Sequence, residues 1–167
     1  MKHKNYSIIL IGLIFFFTNA CTGYKPIFGE SQVKFEISSY SIEGNKKLGN
    51  QIYSKLYNLS KFNKNDQSIR SIDILINVSK DKKATAKNSA GKIMEYKLTL
   101  NTQVIIKDYL SNKEILNRNF ESFSSYKVQD QHSETIKLEN KTIENLLNKT
   151  YQDLLINISD NIVKNDN

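Results

Sequence analysis

Apolar residues recur at two different spacings along the chain. Alternation with polar residues at every second position predicts a half-buried strand, and recurrence at every third or fourth position predicts a helix with one apolar face. The first pattern occupies residues 33–37, 72–78, 94–106 and 115–126. The second pattern occupies about 45–60 and 134–163. The predicted order of elements is therefore β-α-β-β-β-α.

This order predicts an α+β fold in which two helices pack on a four-stranded, mostly antiparallel sheet. Asn45 stands directly before the first helical pattern, where its side chain can cap the helix. In the fourth strand Phe120, Phe123 and Tyr126 are expected to pack together as aromatic residues. The alternation of that strand breaks near residues 122–125, which predicts a β-bulge there.

Residues 1–20 have the three-part build of a secretory signal peptide. Lys2 and Lys4 precede an apolar run at 8–17, and small or polar residues follow it up to Ala20. As a helix, a run of that length would rise about 15 Å, which is half of the hydrocarbon core of a bilayer. A cleaved leader is therefore expected rather than a membrane-spanning helix.

Cys21 stands at the predicted cleavage point. A Cys directly after a small residue at the end of an apolar run is typical of a bacterial lipobox, in which the thiol is acylated and the Cys becomes the new N-terminus. Two or three acyl chains would hold the protein stably on a membrane. An ordinary secreted protein with a free thiol and an uncleaved anchor are the alternatives. We predict a signal peptide at 1–20, a lipidated tether at 21–31 and one α+β domain at 32–167, with no cofactor besides the covalent lipid.

The composition narrows the classes of function. Cys21 is the only cysteine, and His3 and His132 are the only histidines, so an intrachain disulfide and a Cys/His zinc site are excluded. With His132 alone after cleavage of the leader, we expect no metal site and no enzyme. Of 24 basic residues only Arg70 and Arg118 are arginine, which argues against a base-specific nucleic-acid partner.

The segment after the predicted cleavage point carries a family resemblance. Cys21-Thr22-Gly23-Tyr24-Lys25-Pro26-Ile27-Phe28-Gly29 resembles the Cys-Gly-Phe-x-Pro-Leu-Tyr-Gly start of the alphaproteobacterial LptE family, the outer-membrane lipopolysaccharide-assembly lipoproteins. Tyr96-Lys97-Leu98-Thr99-Leu100 resembles the Tyr-x-Leu-x-Leu strand of that family, and Ser124-Ser125-Tyr126 resembles the end of its fourth strand. The resemblance implies a lipid-anchored outer-membrane protein that faces the periplasm. It also implies two partners, namely a large β-barrel of LptD type, which the protein plugs and helps to assemble, and lipopolysaccharide.

The stretch 80–97 carries six lysines against Asp81 and Glu95, a net charge of +4. It falls across the predicted connection between the second and third strands and is expected to project from one end of the sheet. Lysine suits phosphate because its ammonium group acts as a point charge. The candidate contacts for lipopolysaccharide phosphate are Lys80, Lys82, Lys83, Lys87 and Lys92. The alternatives are a solvated hairpin that its lysines keep soluble and a contact with the barrel wall.

Three further candidates lie between Cys21 and the domain, namely Tyr24, Pro26 and Phe28. Pro26 restricts the residue before it to extended conformations and so stiffens the tether. The two aromatic side chains are candidate contacts for the partner barrel or the membrane interface. Alternatively, they close the base of the core.

The function predicted from these features is that of a lipoprotein component of the outer-membrane lipopolysaccharide translocon. Such a protein plugs and assembles the partner β-barrel and assists insertion of lipopolysaccharide into the outer leaflet. An auxiliary lipoprotein of a lipid-trafficking transport complex is the alternative, because it would share the lipobox and the α+β build.

Overall fold

The computed structural model describes residues 35–61 and 69–164. In chain order these residues form β1 (Phe35–Gly44), α1 (Lys46–Lys61), β2 (Arg70–Lys87), β3 (Ile93–Asp108), β4 (Glu114–Lys127) and α2 (His132–Lys164). The strands form one sheet in the order β1-β2-β3-β4, and both helices pack on the same face of it. The predicted α+β class and element order are confirmed.

One of the three strand pairs is parallel. β1 runs parallel to β2, whereas β2–β3 and β3–β4 are antiparallel. The reason is α1, which carries the chain back along the sheet between β1 and β2, so that both strands point the same way. The prediction of a mostly antiparallel sheet therefore holds, with the single exception at the β1 edge.

The core lies between the inner face of the sheet and the two helices. Every second residue of β2 from Ile72 to Val78 is buried, and the alternation continues in β3 from Leu98 to Ile106. The helices complete the core with buried aliphatic residues, which are Leu48, Ile52, Leu56 and Leu59 in α1 and Leu146, Leu147, Leu154 and Ile158 in α2. The recurrence of apolar residues at every third or fourth position predicted that these faces of the two helices are buried.

The start of α1 is determined locally. Asn45 caps the helix, since its Oδ1 accepts a hydrogen bond from the backbone N–H of Leu48 at 3.2 Å. Gly44 precedes it with a φ of 66°, a left-handed conformation that L side chains rarely adopt. A Cβ on Gly44 would also overlap the carbonyl oxygen of Val78. Neither of the two described helices has an apolar stretch long enough to cross a bilayer.

The lysine-rich segment differs from its prediction as a connection. β2 continues to Lys87 and pairs with β3 as far as Ile93, so only residues 88–92 form the turn. The apolar alternation of β2 stops at Val78 because the next inward side chains are Lys80 and Lys82, which meet Glu139, and every residue from 79 to 92 is exposed. The strand persists there without an apolar signal in the sequence.

β4 differs from its prediction in two respects. The pairing of β3 with β4 shifts register between Ile106 and Lys107 and runs regularly through 122–125, so the predicted bulge is wrong. The alternation looks broken because the inward residue is Ser122, which is buried and lies 3.1 Å from the Thr150 hydroxyl. Phe123 consequently points to the outer face, where it is 59% exposed, and does not pack with Phe120 and Tyr126 as predicted.

Candidate functional site

The candidate lysines lie on an arm of the sheet that we call the lysine hairpin, defined as residues 80–97 of β2, β3 and their turn. α1 begins beside Val78, because the backbone N–H of Asn45 bonds the Val78 carbonyl at 2.7 Å. That helix therefore stops short of the lysine hairpin. Only the first turns of α2 reach its inner face, through Glu139. The hairpin thus extends beyond most of the helical layer.

The turn of the lysine hairpin is built around Asn88. Its side-chain Oδ1 accepts hydrogen bonds from the backbone N–H groups of Ala90 and Lys92, at 3.1 and 2.9 Å. Gly91 has a φ of 79° and supplies the left-handed residue that the turn requires. These bonds fix the conformation of the turn, with Lys87 directly before it and Lys92 at its last position.

On the inner face, Lys80 and Lys82 meet an acid. The Lys82 ammonium donates to Glu139 Oε2 at 2.6 Å, and the Lys80 ammonium lies 3.6 Å from Glu139 Oε1. The Tyr126 hydroxyl donates to the same carboxylate at 2.9 Å. We call this group the Glu139 latch, since it joins the hairpin to α2. Lys82 also lies 4.2 Å from the centre of the Tyr96 ring, within cation–π range.

The latch changes the titration of its members. Burial alone would raise the pKa of the Glu139 carboxyl, but the hydrogen bonds from Lys82 and Tyr126, with the lysine charges, lower it below its usual value. Partial burial disfavours the Lys82 cation, yet its bonds with Glu139 and Tyr126 raise its pKa overall. The Tyr126 pKa is raised, mainly by burial. Both charges of the Lys82–Glu139 pair are therefore maintained at neutral pH.

On the outer face, Lys83 and Lys97 are paired directly across β2 and β3. Like charges opposite each other in a sheet are unfavourable unless something neutralises them. Asp81 does so in part, with its carboxylate 3.2 Å from Lys83, although that side chain stays 77% exposed. The Lys97 ammonium lies 4.1 Å from the centre of the exposed Phe123 ring. This outer pair, Lys83 and Lys97 beside Phe123, combines two cations with an apolar surface.

The structure therefore divides the five predicted lysines instead of gathering them. Lys80 and Lys82 belong to the Glu139 latch, Lys83 lies on the outer face, and Lys87 and Lys92 flank the turn. No ion pair joins Lys87 or Lys92 to an acid of the part of the chain described here. Lys97 belongs to the basic stretch but was not a predicted contact, although it directly precedes the inward-facing Leu98 and therefore lies on the outer face.

The other predicted site residues lie outside the described residues. Cys21, Tyr24, Pro26 and Phe28 all precede Phe35, where the description begins. His132 is the first residue of α2. Across residues 35–61 and 69–164, no three His, Cys, Asp or Glu side chains are grouped in a way that could hold a metal ion.

The lysine hairpin and the start of the described chain lie at opposite ends of the sheet. Phe35 pairs with Arg70 at the beginning of β2, and Lys87 pairs with Ile93 at its end. β2 has 18 residues, so at about 3.3 Å per residue these ends are about 55 Å apart. We call the end with Phe35 and Arg70 the proximal end and the end with the 88–92 turn the distal end.

The chain was compared with protein-family models, with curated protein sequences and with solved structures. No protein-family model matches the chain, and no curated protein sequence matches it. Solved structures do match. The fold is similar to that of bacterial lipoproteins. Rare lipoprotein B from Shewanella oneidensis superposes with a TM-score of 0.55 and 14% identity, covering 77% of this chain and 99% of that one.

Two further solved structures of bacterial lipoproteins have a similar fold. The minor lipoprotein from Acinetobacter baumannii has a TM-score of 0.53 and 20% identity, covering 78% of this chain and 94% of its own. Lipoprotein B from Nitrosomonas europaea has a TM-score of 0.55 and 16% identity, covering 80% and 88%. At these identities the likeness establishes a shared fold over nearly the whole length of those proteins.

Proposed function

We propose that this chain is a lipoprotein of the outer membrane, acylated at Cys21 and facing the periplasm, and a component of the lipopolysaccharide translocon. In that role it plugs and helps to assemble a large β-barrel of LptD type and assists insertion of lipopolysaccharide into the outer leaflet. The leader, the Cys at its end and the LptE-like segment after it support the anchor. The fold shared with three proteins that are called lipoproteins supports the same class.

The observation that carries the proposal is the opposite placement of the anchor and the lysines. The chain leading from Cys21 enters at the proximal end, and the lysine hairpin lies about 55 Å away at the distal end. A bilayer measures about 40–45 Å including its headgroups. A sheet of this length standing along the axis of a barrel could therefore bring the lysine hairpin to the level of the outer leaflet while its proximal end projects from the periplasmic mouth, beside the leaflet that holds the anchor.

The outer pair is the part of the hairpin best suited to a phosphorylated lipid. Lys83 and Lys97 point to the same side, and a phosphate between them would relieve their mutual repulsion. The exposed Phe123 ring offers an apolar surface beside them. Lys80 and Lys82 share the Glu139 carboxylate, at 3.6 and 2.6 Å, so that one acid offsets half of their combined charge. The proposed role needs neither catalysis nor a cofactor beyond the lipid on Cys21.

The partner is tested by purification. The full-length protein with a C-terminal tag is isolated in mild detergent from its native envelope, and stoichiometric partners are identified by mass spectrometry. One large β-barrel at about one-to-one stoichiometry is the expected result. Recovery of an inner-membrane transport complex would contradict the proposal and favour the lipid-trafficking alternative. Cys21→Ala serves as the control, since it should abolish acylation and membrane retention.

The lipid contact is tested separately with Lys83→Gln/Lys97→Gln. Each lysine near an anionic lipid surface contributes about 1 kcal/mol, so the double variant should bind lipopolysaccharide about 10- to 30-fold more weakly at low salt. Lys141→Gln/Lys149→Gln is the matched control, because it removes the same charge from exposed positions of α2. Equal weakening by both variants would mean that only net charge matters and would remove the outer pair from the proposal.

A further inference from the structure

The proximal end carries an exposed apolar tip. The turn between β3 and β4 presents Tyr109, which is 53% exposed, and Leu110, which is 89% exposed. Leu110 is the most exposed large apolar side chain among the described residues. Isolated apolar side chains are common on protein surfaces. Exposure alone therefore does not assign a function to Tyr109 and Leu110, and the structure of the turn and the charges around it must be considered.

The turn that carries the tip is held by a dense set of hydrogen bonds. Asp108 Oδ1 accepts from both the backbone N–H and the hydroxyl of Ser111 at 2.8 Å, and Asp108 Oδ2 accepts from Arg70 Nε at 2.9 Å. The Tyr109 N–H donates to the Ser71 carbonyl at 3.0 Å, which ties the turn to β2. Asn112 adopts a φ of 57°, as the tight turn demands. The two apolar side chains are therefore presented by a fixed backbone.

The tip lies where the chain from Cys21 reaches the domain. Phe35 begins β1 opposite Arg70, and Arg70 is bonded to Asp108 at the base of the tip. With strands about 4.8 Å apart, two strand spacings separate Phe35 from β3, about 10 Å. The 14 residues from Cys21 to Phe35 span at most about 48 Å. A lipid on Cys21 would therefore tether the domain to a leaflet by this end, within about 48 Å of it.

The charges around the tip nearly balance. Arg70, Lys107 and Lys113 lie at this end of the sheet with four acids, Glu36, Asp73, Asp108 and Glu114, which leaves one net negative charge on the strand ends and the turn. An anionic surface would therefore not attract this end through charge. What remains is an aromatic and an aliphatic side chain at the extreme end, a combination that favours the interface of a bilayer.

We infer that the Tyr109–Leu110 turn is a second membrane contact, which inserts into the headgroup region of the leaflet that holds the acyl chains of Cys21. The inference rests on the proposed lipid anchor. A specific protein partner would need about 800 Å² of contact on each side, and two side chains at the end of one turn do not supply it. Insertion of the tip would fix the angle of the sheet to the membrane, which a tether alone leaves free.

The absence of tryptophan from the chain allows a direct test. Leu110→Trp introduces a single indole at a position that is 89% exposed, so the fold should tolerate it. Ile136→Trp is the matched control in the first turns of α2 at the distal end, where the native side chain is 45% exposed. The full-length acylated variants are reconstituted in vesicles of phosphatidylethanolamine and phosphatidylglycerol in which part of the lipid carries brominated acyl chains.

The inference requires that both variants float with the vesicles, and that only the indole of Leu110→Trp shifts its emission to shorter wavelength and is quenched by bromine. Flotation of Leu110→Trp with an unquenched indole would overturn the inference and leave the anchor intact. Quenching in both variants would also overturn it, since the domain would then lie flat on the surface. An emission shift of Leu110→Trp that needs the co-purified barrel would assign the tip to a protein contact instead. Failure to float would remove the anchor and the inference together.

Discussion

Glu139→Gln tests whether the latch stabilises the lysine hairpin against α2. The substitution keeps the shape of the side chain and leaves an oxygen that can still accept from the Tyr126 hydroxyl. It removes the charge that attracts Lys82 at 2.6 Å and Lys80 at 3.6 Å. The main loss is therefore one charge-assisted hydrogen bond with an additional weaker attraction.

The expected loss of stability is modest because the pair is only partly shielded. A hydrogen bond to a charged group contributes about 1.5–3 kcal/mol when buried. The side chains of Lys82 and Glu139 are 34% and 19% exposed, so solvent screening lowers that value. We expect Glu139→Gln to reduce the free energy of unfolding by about 1–1.5 kcal/mol at pH 7.

The same variant carries a pH signature. The pKa of Glu139 is lower in the folded protein than its ordinary value of about 4.3. A lowered folded-state pKa stabilises the protein fully above the unfolded pKa, and the stabilisation is lost as the pH falls through the folded-state pKa. The difference between wild type and Glu139→Gln should therefore be constant above about pH 5 and shrink in more acidic solution.

The assay is urea unfolding followed by far-ultraviolet circular dichroism, at neutral pH and across the acidic range. Glu144→Gln is the control, because it removes an exposed carboxylate from the same helix. Combining Glu139→Gln with Lys82→Met completes a double-mutant cycle that isolates the pair. A coupling energy of zero, or a Glu139→Gln effect equal to that of Glu144→Gln, would refute the latch.

Two further predictions concern the scaffold. Gly44→Ala should reduce the free energy of unfolding by more than about 1–2 kcal/mol, since it adds an overlap with the Val78 carbonyl to the left-handed strain. Gly91→Ala has a similar φ with open space around it, so a Gly44→Ala effect no larger than that of Gly91→Ala in urea unfolding would argue against the overlap. Thr102→Val should raise stability by up to about 1 kcal/mol, because the buried Thr102 hydroxyl has no hydrogen-bond partner among the described residues. A lower melting temperature for Thr102→Val would contradict that account.

The helices and the inner face of the sheet could be predicted because their signals are local. Asn45 precedes an apolar face at helical spacing, and the cap and the face are both found where expected. The alternation from Ile72 to Val78 marks the part of β2 that the helices cover. Beyond Val78 the inward side chains are polar, so β2 continues through its backbone pairing with β3, which leaves no apolar alternation in the sequence.

The candidate site was less accessible to sequence reasoning. The basic stretch was evident, but its division between two faces depends on the register of β2 with β3, which pairs Lys83 with Lys97. Glu139 lies 57 residues from Lys82 along the chain, and no local pattern links two such positions. Phe123 was expected to pack with Phe120 and Tyr126, whereas the inward position of that strand belongs to Ser122.

The division of the lysines decides how much charge the hairpin can offer to a ligand. The sequence assigns +4 to residues 80–97, but Glu139 lies against that stretch and engages Lys80 and Lys82. With that one negative charge added, the region keeps a net charge of +3, and the lysines that do not lie against Glu139 are Lys83, Lys97 and the two lysines of the turn. Because the latch uses the inner face, a phosphorylated ligand that meets this hairpin should depend on the outer pair. Charge removal at Lys80 or Lys82 should then act mainly through stability.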